Sequence, residues 1–116
     1  MKRIAIAELD WVALDWAVAE VEGKKRLHTT RRKFGMDVPV KVIPAYSGDW
    51  SQCGPLIERY RVDVLHEEAN GEWLSSVDAI HCAIGTTPLI AACRAIVAAH
   101  NPSGFVEVPD ELVEEE

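Results

Sequence analysis

Metal-binding and redox spacings are missing from this chain. Its three cysteines, Cys53, Cys82 and Cys93, are an odd number with no C-x-x-C, and its four histidines make no H-x-x-x-H. A disulfide framework and a structural zinc site are therefore not expected. His81 and Cys82 are neighbours on an expected strand, where alternation sends them to opposite faces and prevents joint ligation. Long apolar runs are missing too. No stretch nears the roughly 18 uninterrupted residues of a membrane span. The opening Lys2-Arg3 and the apolar run after it superficially suggest a secretory leader. Glu8, Asp10 and Asp15 break that run, so the leader reading fails and a cytoplasmic protein is expected. There is no phosphate-binding loop and no dinucleotide fingerprint, and no cofactor is expected.

What is present suits one globular domain. The chain has 116 residues, 48% of them hydrophobic, enough to build a core without staples. We assign residues 1–108 to a single α+β domain and 109–116 to an acidic C-terminal tail. The net charge of −7 argues against general nucleic-acid binding. The exception is the basic stretch 24–33, with Lys24, Lys25, Arg26, Arg31, Arg32 and Lys33, the only segment through which nucleic acid would be contacted. A solvated loop is the plainer reading of that stretch, and a frayed end the plainer reading of the acidic residues from Glu107 onward.

Hydrophobic spacing predicts the elements. Residues 2–6 read as a short strand or extended lead-in. Asp10 suits the N-cap of a first helix reaching about Glu22, with Trp11, Leu14, Val18 and Val21 as its core stripe and Gly23 beyond its end. Residues 24–39 lack helical periodicity and read as a loop, followed by an extended segment at 40–43. A second helix is expected to begin near Pro55. A strand follows at 62–67, then Asn70-Gly71, the strongest hairpin signal, and one returning strand over 73–84. A third helix opens at Thr87-Pro88, and a last strand spans 105–108. The sum is three helices packed on a small, mostly antiparallel sheet.

Two segments echo each other. CGPLIERYR at 53–61 and TTPLIAACR at 86–94 share Pro-Leu-Ile and an arginine six residues after the proline. A small or capping residue before a proline marks a helix start, where free N–H groups favour an anion or polar ligand. Tyr46-Ser47-Gly48-Asp49-Trp50, just before the first of them, carries two aromatics that a polar loop does not need. The candidate binding site is therefore Tyr46, Asp49, Trp50, Gly54, Thr86, Thr87 and Arg94. Asp49 would accept hydrogen bonds, the two aromatics would stack on a planar ring, and the two helix starts would hold phosphate or carboxylate. Arg94 or Arg59 would add a charged fork. Such a set suits a small polar, nucleotide-like ligand. The competing reading makes Asp49 a turn residue, Trp50 a core residue and the arginines surface groups. Six residues turn about 240° around a helix, so Arg61 and Arg94 do not sit beside their own helix starts.

Leu14-Asp15-Trp16-Ala17-Val18-Ala19, Tyr46-Ser47-x-Asp49-Trp50-x-x-x-Gly54-Pro55-Leu56-Ile57-Glu58, and Thr87-Pro88-Leu89-Ile90-Ala91-Ala92-x-Arg94 with Glu107-Val108-Pro109 resemble the NinX-like family of small phage proteins. The likeness runs in order along nearly the whole chain. It implies a phage or prophage protein in the cytoplasm of a bacterial host, and the family is one of unknown function. Cys53, where a small residue is expected, and the basic 24–33 stretch depart from the pattern. An enzyme is the less favoured class. Cys53 before a helix start would be an activated thiol only with a base, and all four histidines are distant in sequence. The alternative to a ligand binder is a protein-binding modulator of a host factor, with Trp11, Trp16 or Trp73 as anchors. Self-association is compatible with either.

Overall fold

The computed structural model describes residues 2–23, 28–33, 36–41 and 43–112. Its architecture is α+β, with three helices and antiparallel strands among those residues. The strands fall into three small sheets rather than one. β1 (Lys2–Ala5) pairs with β7 (Phe105–Val108). β2 (His28–Lys33) pairs with β3 (Met36–Lys41). β4 (Val62–Glu67), β5 (Glu72–Val77) and β6 (His81–Gly85) form a three-stranded meander.

Helix α3 (Pro88–His100) is the central element. Its start matches expectation: Thr87 Oγ1 accepts from Ile90 N–H at 3.1 Å, and Pro88 occupies the first turn. Leu89, Ala92, Cys93, Ile96 and Val97 are buried between the three-stranded sheet and α1 (Trp11–Val21). The alanines of α3 leave little side chain between helix and sheet, so the backbones lie close. A Cβ placed on Gly85, the last residue of β6, would fall 2.6 Å from Ala91 N and 2.9 Å from Ile90 Cγ2. Gly85 is therefore a packing requirement at the joint where β6 turns into α3.

Asp10 caps α1 as expected, and Gly23 and Gly71 take positive φ at +71° and +70°. Four other expectations need correction. The segment read as a loop over 24–39 contains the ladder β2–β3; β2 has no apolar residue, so no alternation betrays it. Residues 73–84 are two strands, β5 and β6, not one. Between them Asp78 and Ala79 both have φ +57° and Ile80 N–H donates to Val77 C=O, a type I′ turn without glycine.

The second helix, α2 (Trp50–Tyr60), begins five residues before Pro55. Asp49 caps it by accepting from Ser51 N–H, and Pro55 lies inside it. That proline removes one helical hydrogen bond, at a cost of roughly 3 kcal/mol. Burial of Cys53 and Leu56 on the inner face offsets part of this. Finally, Trp11 is 78% exposed and off the core stripe, because its backbone sits in the left-handed region at φ +49°. The stripe starts at Leu14.

The end of the described chain also carries structure. Asp110–Leu112 form a short 3₁₀ turn, and Leu112 packs against the core. Residues 113–116 of the assigned acidic tail lie outside the described residues.

Candidate functional site

The turn before α2 is tied to α1 by a buried carboxylate. Asp15 faces inward because α1 is apolar nearly all round, WVALDWAVAEV, and its one mid-helix acid falls on the packed side. It accepts from Ser47 N–H at 2.7 Å. Burial pushes the Asp15 carboxyl above its ordinary range, and the Ser47 hydrogen bonds only partly offset this. The sign of the linkage follows. An acid with a raised folded-state pKa favours folding when protonated, and that advantage is lost as pH rises from its unfolded value through its folded one. Asp15→Asn keeps the acceptor for Ser47 and cannot ionise. Its stability relative to wild type is therefore expected to rise as pH climbs from 3.5 to about 7. Paired denaturant titrations check this, and a difference that stays flat with pH would remove the buried charge from the account.

Around that tie the proposed site residues separate. Tyr46 is core, 2% exposed, and its hydroxyl has no hydrogen-bond partner among the described residues. Asp49 is spent as a helix cap. It accepts from Ser51 N–H at 2.9 Å and Ser51 Oγ at 2.7 Å, and these bonds hold its carboxyl below the ordinary range. Trp50 is exposed. Gly54 lies mid-helix, so its N–H belongs to the helical ladder rather than to a free end, and an added Cβ would meet nothing within 4 Å. Thr87 caps α3 and Thr86 is exposed beside it.

Arg94 is a clamp. Its Nε donates to Leu9 C=O at 3.0 Å and its Nη1 to Ile84 C=O at 2.8 Å, linking the entry to α1 with β6. Arg59 pairs with Glu22, which also accepts from Tyr60 OH and so joins the ends of α1 and α2. Of the seven residues, Thr86 and Arg94 share one concavity of about 560 Å³, walled by Ile6, Ala7, Ile84 and Gly104. Tyr46, Asp49, Trp50, Gly54 and Thr87 do not line it.

The echoed segments do converge, but through the first residue of one, Cys53, and the next-to-last residue of the other, Cys93. Cys53 and Cys93 are fully buried with their Sγ atoms 3.8 Å apart. Cys53 is the fourth residue of α2, not a residue before a helix start. The Cys93 thiol is pushed up by the hydrogen bond it shares with Cys53, by burial, and by the negative charge of Asp15. A fully buried thiol of this kind is packing, not a nucleophile. No group of three or more His, Cys, Asp or Glu side chains able to hold a metal occurs among the described residues.

Two exposed apolar surfaces lie away from these residues, one around Trp11, which the sequence offered as an anchor for protein binding, and one that the sequence reading missed. At the entry to α1, Trp11 and Val12 are 78% and 49% exposed beside a hollow of about 370 Å³ that Ile4, Ala13 and Leu112 floor and Glu8 and Asp10 edge. On the outer face of the meander, Leu65, Leu74 and Ile84 stand in register, with Leu65 and Ile84 exposed. Periodicity could not have found the first, since a helix apolar on all sides does not say which side is out. Alternation over 62–67 carried the signal for the second.

No helix among the described residues is long and apolar enough to cross a membrane. No curated protein matches the chain. A family model described as Bacteriophage P22, NinX matches residues 5–100, from the end of β1 to the last residue of α3. The chain belongs to this NinX family of phage proteins, whose function is unknown.

Proposed function

We propose that this NinX-family protein works by binding rather than catalysis, in the host cytoplasm, and that its partner is a host protein docking at the entry to α1. Trp11 carries the reading. A tryptophan held at φ +49° strains the backbone, and with most of its surface in water the fold gains little burial in return. Tryptophan is also the residue most enriched among interface anchors. Glu8 and Asp10 at the rim call for a partner segment that pairs an apolar side chain with lysine or arginine.

Glycine adopts positive φ freely, so Trp11→Gly is expected to stabilise the free protein by about 1 kcal/mol, near 4 °C in Tm. The same change removes the anchor and weakens a wild-type partner at least about 30-fold. Leu65→Ser on the meander is the control and leaves binding unchanged. A partner that binds wild type and Trp11→Gly equally well would sink the assignment.

The second reading is a small polar, nucleotide-like ligand in the concavity beside Thr86. What favours it is that Thr86 and Arg94 line a common hollow. A thermal shift with a nucleotide panel, lost in Thr86→Val, separates it from protein docking.

A further inference from the structure

The most basic segment of the chain forms a sheet of its own. β2 and β3 pair in a six-rung antiparallel ladder, from His28 opposite Lys41 to Lys33 opposite Met36, and among the described residues they pair with no third strand. Charge is segregated onto this stretch. Seven of the chain's twelve Lys and Arg lie within 24–41, where Asp37 is the sole acid, and the other eighteen acidic residues lie elsewhere. Lys24, Lys25 and Arg26 are outside the described residues. Arg31, Arg32, Lys33 and Lys41 belong to the ribbon itself.

We propose that the β2–β3 ribbon binds double-stranded DNA through the phosphates flanking its major groove. This goes beyond the protein-docking reading and uses a different surface. Two features select duplex DNA among acidic partners. A two-stranded ribbon fits a major groove about 12 Å wide. Six residues at about 3.4 Å each give it a length of roughly 20 Å, against one phosphate charge per 1.7 Å of duplex axis. The deep, narrow major groove of A-form RNA does not admit it. Because the contacts are to phosphates and release condensed counterions, binding depends steeply on salt.

The test is fluorescence anisotropy of a labelled 20-base-pair duplex, titrated with the full chain at several salt concentrations. Four phosphate contacts give a slope of log K against log salt of about −3.6, so affinity falls about 150-fold from 50 to 200 mM salt. The triple variant Arg31→Ala, Arg32→Ala, Lys33→Ala flattens that slope by about 2.7, and Arg32→Gln alone by about 0.9. Arg61→Ala, on an exposed residue outside the ribbon, leaves it unchanged. Thermal melts report whether the variants stay folded, and Arg32→Gln carries the test if the triple variant does not. No anisotropy change at 50 mM salt overturns the proposal, as does a slope unmoved by both variants. Tighter binding of polyglutamate than of the duplex also overturns it, and would give the ribbon to an acidic protein instead.

Discussion

Gly85→Ala is expected to be the most damaging single-methyl change in this protein, lowering the unfolding free energy by about 3 kcal/mol and Tm by about 12 °C. The new Cβ would lie 2.6 Å from Ala91 N and 3.1 Å from Ala91 Cα, and neither is the end of a flexible side chain. Relief requires moving α3, whose Ala91, Ala92 and Cys93 are fully buried. The strain therefore spreads across the interface between α3 and the meander. Denaturant unfolding checks this as a shift in midpoint at unchanged m-value. Gly54→Ala, made in open space within α2, is the matched control and does not destabilise. If the two substitutions behaved alike, the close approach of α3 to β6 would be wrong.

Arg94→Ala is expected to cost about 2–3 kcal/mol, because it deletes two charge-assisted hydrogen bonds and leaves the Leu9 carbonyl without its donor. Arg94→Lys does not restore the loss, since one ammonium cannot reproduce the planar fork that reaches both carbonyls. This prediction also separates a clamp from a ligand-binding arginine. A guanidinium waiting for phosphate would leave stability nearly untouched when removed. A clamp lowers stability whether or not any ligand is present. Calorimetry of the free protein decides between them, and a change under about 0.5 kcal/mol would return Arg94 to the binding site.

The elements easiest to read in the sequence were those with one dominant signal. Thr87-Pro88 marked the start of α3, Asp10 the start of α1, and Asn70-Gly71 the first meander hairpin, and each is where it was expected. The errors arose where two signals competed. Pro55 reads as a first-turn proline because that is where helices tolerate it, yet Asp49 and Ser51 supply a better cap one turn earlier. Moving that helix start turned Gly54 from a free helix end into an interior residue and dispersed the candidate site. Asp78-Ala79 hid a turn because neither residue is glycine, although both adopt positive φ. The role of Arg94 was not legible at all. Its partners are carbonyls of residues 9 and 84, and backbone acceptors leave no trace in side-chain chemistry.

The pairing of β1 with β7 bears on synthesis. Strand 2–5 has no ladder partner until residue 108 has been made, roughly a hundred positions later. On the ribosome the leading strand must therefore wait, exposed, while everything between it and its partner is translated, and Val106 and Val108 can seal the core only once they clear the exit tunnel. Closure of this end of the fold waits for the last strand, and a chain stalled before residue 105 would leave Ile4 and Ile6 without that cover.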